Sequence, residues 1–545
     1  MELDLRVVSS AAGACSAKHP LELLKQLGAT QLRLSLLQHV ANGPPSLLCD
    51  RVVSLTSGQT DLALNTDSAA DLLVEAFSDE TPPRLLASGM LVNINERPQL
   101  RPLRLLLVPE GGFNCTSSPP TTTRAFHSAT TLPGGQVLLL GGLTHHASDP
   151  GALSALHSAE VYDPRSGEFT NVDGKLSSAR AFHRALLIDG PVGGPHDLLL
   201  VGGASPEADK PVARWGGANE MLPLVPDSRA VAAASTLIRY YPWADPPLIE
   251  ELAASPQLQG RLFHDVATAQ GGEVVLLGGL AGYSAGRPST VDSMEVLPTA
   301  GATTHDGPYP LQRARVGAAA AAAGSTLLVF GGNLDSTGSN VDEEAAEQVN
   351  LGSTVDSKLL SAESGSKAAV QSTMFSTLTA LPEGSLLLVG GLRLEAGRAQ
   401  VLRDSNPVQR LSLVGGSLRV TPVAGSFTPV AWHRSTSLPD GSVLTIGGMA
   451  KPGACSPSTL VCTSTWRYVS SQDVIAAGEP LRHARMGHAL SWLPGDSLLV
   501  TGGMTVTPAG AVETLATAEL SGQHQLATDP FGRPPGKASN TTCGE

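Results

Sequence analysis

Apolar runs that end in a Gly-Gly pair recur along most of this chain. The pairs stand at 141–142, 202–203, 278–279, 331–332, 390–391, 447–448 and 502–503. Successive pairs are 53 to 76 residues apart, which is enough for one four-stranded antiparallel sheet with its loops. The pattern therefore predicts seven structural repeats built from strands.

Each apolar run follows a turn signal, such as "LPGGQ", "LPEGS" or "LPDGS", which is typical of tight hairpins. A third apolar segment follows a loop of variable length and carries an acidic residue near its start, as in "AEVYDP", "MEVLP" and "AELSG". The second and third segments are almost continuously apolar, as expected of strands buried on both faces. The repeat is therefore predicted to be a strand, a tight turn, a strand that ends in Gly-Gly, and an outer strand.

The seven repeats with their matched turns resemble the kelch family of β-propellers, in a divergent form similar to the central domain of galactose-oxidase-like proteins. The resemblance covers residues 104–525. It implies an all-β, seven-bladed propeller; six blades would require one repeat to lie outside the ring.

The spacing of the repeats also predicts how the ring closes. Residues 104–113 look like the outer part of a blade without its inner strands, and the last blade has no convincing fourth strand before the tail, residues 526–545. We therefore expect residues 104–113 to complete the last blade. Cys115 and Cys543 would then be neighbours and form a disulfide.

Residues 1–103 lack the repeat. Short apolar or alternating segments separated by turn residues predict a small β-sandwich of the immunoglobulin or prealbumin type. Cys15 and Cys49 are expected to form its disulfide. Helical periodicity is confined to two short segments, near residue 20 and near residue 343.

Composition narrows the class of protein. The 545 residues carry a formal net charge of −13, which argues against nucleic acid as a partner because phosphate contacts need clustered Lys and Arg. No apolar stretch reaches the roughly 20 residues that span a bilayer. We therefore expect neither nucleic-acid binding nor a transmembrane segment.

The six cysteines have no zinc-site spacing, and their even, scattered distribution predicts three disulfides in an extracytoplasmic protein. Cys455 and Cys462 would form the third bridge within one loop. The alternative is six free thiols in a cytosolic protein. A secretory leader is not recognised before "MELDLRVVSS", so export implies that the leader lies outside this chain; the Ala-, Gly- and Arg-rich usage is typical of a bacterial source.

Histidine stands at the start of the inner strand in five repeats, and Arg precedes it by three residues in four of them. The histidines are His127, His183, His264, His433 and His488, and the arginines are Arg124, Arg180, Arg261 and Arg485. The equivalent positions in the fourth and fifth repeats are Gly317 and Ser376. One interpretation is an axial ring of imidazoles that binds a metal or an anion. The other is a structural device in which His hydrogen-bonds between blades and Arg satisfies carbonyls or an acidic partner; repetition in most units favours it.

Variable loops after the Gly-Gly pairs are the expected binding surface. Arg214 and Trp215, together with Tyr283 and Arg287 in the next repeat, would suit a sugar ring or a carboxylate; a hydrophobic plug beneath a long loop is the alternative. The first such loop contains four possible metal ligands, His145, His146, Asp149 and His157. A solvated polar loop without a metal is the simpler interpretation.

These observations favour a non-catalytic extracytoplasmic or cell-surface binding or adhesion protein that uses its propeller loops to bind a protein or a glycan, with no cofactor and no metal. A copper radical oxidase would need a Tyr–Cys cross-link, which the expected disulfides leave no cysteine to form. A carbohydrate-active enzyme resembling the kelch-type sialic acid mutarotases would need one Arg and one carboxylate in the axial pocket. A structural component of a surface assembly is the third alternative.

Overall fold

The structure is a computed structural model in which the chain folds almost entirely into antiparallel β-sheets. It describes residues 3–9, 16–18, 24–38, 46–55, 70–94, 103–146, 149, 151–189, 194–206, 210–215, 224–226, 231–252, 258–284, 287–297, 306–332, 345–363, 365, 370–395, 398–401, 407–455, 460–522 and 533–538. None of the helical segments in these ranges is long and apolar enough to cross a bilayer.

The N-terminal part contains seven strands in the order β2-β1-β7-β6-β5-β3-β4. Their bounds are β1 Leu3–Ser9, β2 Ser16–Lys18, β3 Gln31–Gln38, β4 Ser46–Ser54, β5 Ala70–Phe77, β6 Leu85–Leu91 and β7 Leu103–Pro109. Strand β7 pairs in parallel with β1 along Leu103–Leu107 and then with β6 at Val108 and Pro109. The N-terminal β-domain thus consists of a three-stranded and a five-stranded part that share β7.

Alternate residues of these strands form one apolar core, which includes Leu34, Val74 and Leu107. The opposite face buries charge: Arg33 donates to both carboxylate oxygens of Glu75 at 2.7 and 2.9 Å. The C-terminal segment covers this face, because Arg533 donates to Ser35 Oγ at 2.7 Å and to Asp50 at 3.1 Å. The two ends of the chain are therefore held together by buried ion pairs.

Seven four-stranded sheets follow, one for each Gly-Gly repeat, and the predicted seven-bladed β-propeller is confirmed. Blade 1 contains Ser128–Thr131, Val137–Leu140, Ala159–Asp163 and Glu168–Val172. Blade 2 contains Arg184–Asp189, His196–Val201, Thr236–Tyr241 and Leu248–Glu251. Blade 3 contains Asp265–Thr268, Val274–Leu277, Ser293–Leu297 and Asp306–Pro310.

In blades 4 to 6 the strands are Ala319–Ala323, Thr326–Phe330, Ala346–Leu351 and Val355–Leu359; Thr377–Ala380, Leu386–Val389, Val408–Val414 and Ser417–Pro422; and Arg434–Ser437, Val443–Ile446, Thr465–Val469 and Val474–Ala477. A two-residue strand, Ala424–Gly425, adds to the outer edge of blade 6. Blade 4 corrects one prediction: the helix expected near residue 343 is wrong where it can be checked, since Ala346–Leu351 is a strand.

Blade 7 is completed from the N-terminal side, as predicted, but the closing strand begins only at Phe113, the last residue of the predicted segment. Its strands are Ala489–Leu493, Ser497–Thr501, Ala518–Ser521 and Phe113–Cys115. The expected closing segment, residues 104–113, instead contributes most of its length to β7 of the N-terminal sheet. The predicted bounds were wrong because both segments are short strands, and only long-range pairing decides which one joins the blade.

Short strands after the Gly-Gly pairs cover the face of the propeller opposite the tight turns. They are Leu143–His145, Ala152–Ala155, Ala204–Ser205, Ala213–Trp215, Leu224–Pro226, Val231–Ala232, Leu280–Ser284, Arg287–Thr290, Leu392–Glu395, Arg398–Val401, Met504–Val506 and Val512–Thr514. Their buried residues join one apolar cluster with residues at the axis, among them Leu143, Leu280 and Met504. This loop face is thus closed by packed hairpins near the axis.

Cys455 and Cys462 form the predicted loop disulfide, with a Cα–Cα distance of 5.2 Å. Cys49 and Cys115 each take part in a disulfide bond as well. The partners predicted for them, Cys15 and Cys543, lie outside the described residues, so those two pairings stay predictions.

Candidate functional site

Seven equivalent residues, one from each blade, surround the propeller axis in a left-handed backbone conformation. Their φ angles are 51° at Phe126, 61° at Phe182, 51° at Phe263, 61° at Gly317, 58° at Phe375, 54° at Trp432 and 60° at Gly487. Five of the seven are bulky aromatic residues, for which this conformation is strained. Strain that recurs in this way must be offset by interactions around the axis.

Hydrogen bonds and ring contacts provide that compensation. Backbone N–H groups donate from one blade to the preceding one at five of the seven positions, for example Phe182 N to Phe126 O at 3.0 Å and Phe375 N to Gly317 O at 2.7 Å. Neighbouring ring centroids lie 4.7 to 6.3 Å apart around the complete circuit, from Phe126 through Trp432 and back. We call these five side chains the aromatic ring; it closes the axial channel on its loop-face side.

Glycine stands at the remaining two axial positions because the neighbouring rings occupy the space. A Cβ at Gly317 would lie 2.7 Å from the Phe375 ring, and a Cβ at Gly487 would lie 2.5 Å from the Phe126 ring. Gly317 therefore occupies the aromatic position and Ala318 the histidine position, one residue later than predicted. The alignment failed there because blade 4 has a shorter turn, with Ala323 paired directly to Thr326.

The five repeated histidines lie between blades, directly after the axial residues. His127 Nε2 pairs with Thr501 Oγ1 at 2.9 Å, and His183 Nε2 pairs with Ser128 Oγ at 3.0 Å, each across a blade boundary. Each imidazole also packs against the first glycine of the preceding blade's Gly-Gly pair, as His183 does at Gly141. Burial, reinforced by nearby arginines, lowers the pKa of His264 and His433 to about 3. These contacts support the structural interpretation of the repeat.

The repeated arginines are anchored by glutamates on the third strand of the same blade. The pairs and their N–O distances are Arg124–Glu160 at 2.7 Å, Arg261–Glu295 at 2.7 Å, Arg315–Glu347 at 3.0 Å and Arg485–Glu519 at 2.6 Å. Arg180 has no such carboxylate and donates to Thr236 Oγ1 and Ala234 O. Sequence reasoning missed Arg315 and Glu347 because blade 4 is shifted: Arg315 lies 16 residues before its Gly-Gly pair, whereas Arg124, Arg261 and Arg485 lie 17 residues before theirs.

A cavity of about 290 Å³ lies on the other side of the aromatic ring and extends along the inner strands. The rings form its floor, and the first residues of the inner strands form its wall. Most of that wall is small or neutral, including Ala319, Thr377 and Ser435. We call this cavity the axial pocket.

Three charged side chains break the symmetry of the axial pocket. Arg184, Asp265 and Arg434 each follow a repeated histidine directly, and all three line the cavity. Arg184 contacts Asp265 at 3.4 Å, and the backbone N–H of Ala320 donates to the other oxygen of Asp265 at 2.8 Å. Arg434 Nε donates to His488 O at 3.2 Å.

Burial is the largest influence on the pKa values of Asp265 and Arg434, and the attraction between Asp265 and the two guanidinium groups opposes it. Burial raises the pKa of Asp265, against the opposing effect of Arg184. Burial and the like charge of Arg184 lower the pKa of Arg434 to about 9, so its guanidinium remains charged at neutral pH. Sequence reasoning missed this site; the signal was the change from His-Ser or His-Ala to His-Arg and His-Asp in three blades.

The loop residues predicted to bind a ligand lie on two separate loop segments. Arg214 forms an exposed ion pair with Asp149 at 2.7 Å, while Trp215 packs against the apolar cluster of the loop face. Tyr283 and Arg287 lie on a separate hairpin, and the structure does not describe their side chains. Loop-face binding by these four residues stays a prediction.

The histidines of the first loop are also dispersed. His145 accepts a hydrogen bond from Thr514 N at 3.1 Å, whereas His146 and His157 line a cavity with Lys210. In the part of the chain that the structure describes, no three His, Cys, Asp or Glu side chains form a group able to hold a metal ion. The residues present there do not fit a metal centre.

Comparison with known proteins gives no family assignment. No protein-family description matches the chain, and no curated protein matches it. Among solved structures, one described as the structure of YjhT is similar, with a TM-score of 0.42 and 12% sequence identity. The match covers 66% of this chain and 99% of that one, and the kelch resemblance stays a prediction.

Proposed function

We propose that this chain is an extracytoplasmic, non-catalytic binding protein that takes a sugar-sized polar ligand into the axial pocket. The observation that carries the proposal is the composition of that pocket: an aromatic floor with three charged side chains on an otherwise small, neutral wall. Concave sites that combine apolar surface with a few fixed polar groups are typical of small-ligand binding. The disulfide bonds support a location in an oxidising compartment.

The rigidity of the pocket supports the same proposal. Inter-blade hydrogen bonds and ring contacts hold the floor, and Ala320 N holds Asp265. A ligand that enters therefore meets polar groups that are already oriented, which reduces the entropy lost on binding. Because the loop face is closed at the axis, we expect entry from the side of the tight turns.

Binding can be tested with a panel of monosaccharides and disaccharides by calorimetry. We expect at least one sugar-sized compound to bind the wild type and to lose about tenfold in affinity in Asp265→Asn, since a buried carboxylate–hydroxyl bond contributes roughly 1.5 kcal/mol. Asp356→Asn is the control, because Asp356 is exposed on the outer strand of blade 4. If both variants lose the same affinity, or if Asp265→Asn binds the ligand as tightly as the wild type, the ligand site lies outside the axial pocket.

A second candidate function is favoured by Asp265. A carboxyl group with a raised pKa beside a guanidinium can exchange a proton with the anomeric hydroxyl of a reducing sugar. Loss of that proton forms the C1 carbonyl as the bond between C1 and the ring oxygen breaks and the ring oxygen takes up a proton. Rotation about the C1–C2 bond, followed by the reverse steps on the other face of the carbonyl, re-forms the ring as the other anomer and returns both protons. Exchange NMR on a bound reducing sugar tests this: acceleration that Asp265→Asn abolishes makes the protein an enzyme, and unchanged anomer exchange leaves it a binding protein.

A further inference from the structure

We propose that the axial pocket binds a ligand with a single negative charge, such as a carboxylate, at Arg434. The inference rests on the proposed function, because it assumes that the axial pocket is the ligand site. It adds the chemical class of the group recognised there and the residue that recognises it.

Arg434 faces the axial pocket without a carboxylate in contact, and Asp265 stabilises its charge only from a longer distance. Among the described residues its guanidinium donates only from Nε, to His488 O, and no carboxylate lies within ion-pair distance. In contrast, four buried arginines of the same propeller each contact a glutamate at 2.6 to 3.0 Å. A partly desolvated charge without a partner is costly, so the terminal nitrogens of Arg434 are poised to receive an anion.

Counting the charges that face the pocket gives the expected ligand charge. Arg184 and Arg434 contribute two positive charges, and Asp265 contributes one negative charge. The histidines that line the cavity are held neutral by burial. The remaining polar wall residues are hydroxyls, such as Thr377 and Ser435. The net charge is therefore +1, and one negative charge balances it.

The same residues disfavour a dianion and a neutral ligand. A second negative charge on the ligand would share a small cavity with the carboxylate of Asp265. Like charges confined to one poorly solvated cavity repel strongly. A neutral ligand would leave Arg434 uncompensated. A planar carboxylate, by comparison, matches the two parallel N–H donors that a guanidinium presents.

The test compares acetate with acetamide, which has nearly the same shape without the charge, and with sulfate as the dianion. Binding is followed by ligand-observed NMR at constant ionic strength, on wild type, Arg434→Gln, Arg434→Lys and Arg419→Gln. Arg419 is the matched control, since it is half-exposed and paired with Glu363 on an outer strand. We expect acetate to bind at least tenfold more tightly than acetamide and more tightly than sulfate.

We further expect Arg434→Gln to abolish the preference for acetate, Arg434→Lys to retain part of it, and Arg419→Gln to leave it unchanged. If acetamide binds as well as acetate, or sulfate binds best, the monoanion inference is wrong while the axial pocket remains a ligand site. If acetate binding is absent, or survives in Arg434→Gln unchanged, the inference is also overturned. The sugar panel with Asp265→Asn then decides separately whether the proposed function stands.

Discussion

Glu519 provides the sharpest test of how the propeller ring is held closed. Its side chain is fully buried in blade 7 and lies next to the closing strand, with Glu519 paired to Cys115. Burial by itself would raise the pKa of this carboxyl, but hydrogen bonds and charge from His483, Arg485 and the backbone of Arg482 outweigh it and lower the pKa to about 2. The ionised carboxylate is therefore the form that the folded state stabilises.

The magnitude follows from that shift. The difference between the ordinary pKa of 4.5 and a folded value of about 2 corresponds to about 3 kcal/mol of stability. Because the folded pKa is depressed, this contribution is fully present above pH 4.5 and is lost as the pH falls toward 2. Glu519→Gln should lose about 3 kcal/mol at pH 7, and its stability should converge with that of the wild type in acid.

The measurement is denaturant unfolding followed by tryptophan fluorescence from pH 2 to pH 7. Glu513→Gln is the control, since Glu513 is exposed on a hairpin of the same blade and its replacement should change stability by less than about 0.5 kcal/mol. Equal effects of the two substitutions, or a difference in stability between the wild type and Glu519→Gln that does not shrink as the pH falls below 4.5, would refute the reasoning.

The chain itself suggests a compensating variant. Blade 6 has Val430 and Trp466 where blade 7 has Arg485 and Glu519, and its four principal strands pair in the same order without this ion pair. We expect Arg485→Val combined with Glu519→Thr to be less destabilised than Glu519→Thr alone, because no buried charge is left without a partner. A purely additive double variant would show that the two side chains are not coupled.

Three further predictions concern stability. Gly390→Ala should prevent folding or cost more than about 3 kcal/mol, because its Cβ would overlap Val430 O at a φ of +60°; Gly384→Ala, also at positive φ but with open space around it, should cost only about 1 kcal/mol in thermal unfolding. Replacing Cys455 and Cys462 by Ser should lower stability by about 2 kcal/mol, the loop-closure value for a bridge with a sequence separation of 7, and a reducing agent should then have a smaller effect than on the wild type. Arg533→Gln should make the C-terminal segment more sensitive to limited proteolysis by trypsin, because Asp50 loses its buried counter-charge; unchanged cleavage relative to Arg419→Gln would show that the segment is held by other contacts.

The sequence was sufficient for the architecture because the information it needed is local and repeated. The first glycine of each Gly-Gly pair marks a position where backbone with positive φ passes within contact of the next blade, as Gly141 does at Arg180. The tight turn before each apolar run sets the register of the hairpin. Both signals recur, so the number of blades follows from counting them.

Features that depend on long-range pairing were not predictable in the same way. The identity of the closing strand and the docking of Arg533 on the N-terminal sheet both join segments that are far apart in sequence. The axial pocket was missed for a different reason. The repeated His is a feature that most blades share, so it does not mark a site. Arg184, Asp265 and Arg434 do mark one, because the other blades have small or neutral residues at the same position.

The closing strand also determines when, during synthesis, the propeller can close. Phe113 pairs with Ser521, so the two halves of blade 7 emerge from the ribosome at opposite ends of synthesis. At 5 to 20 residues per second, the intervening chain takes roughly 20 to 80 seconds to appear. Throughout that interval Phe113–Cys115 has no partner in blade 7, although β7, the strand before it, can already pair within the N-terminal sheet. A chain terminated before Ala518 would therefore present an open ring and an unpaired edge, the form that quality-control proteases and chaperones recognise.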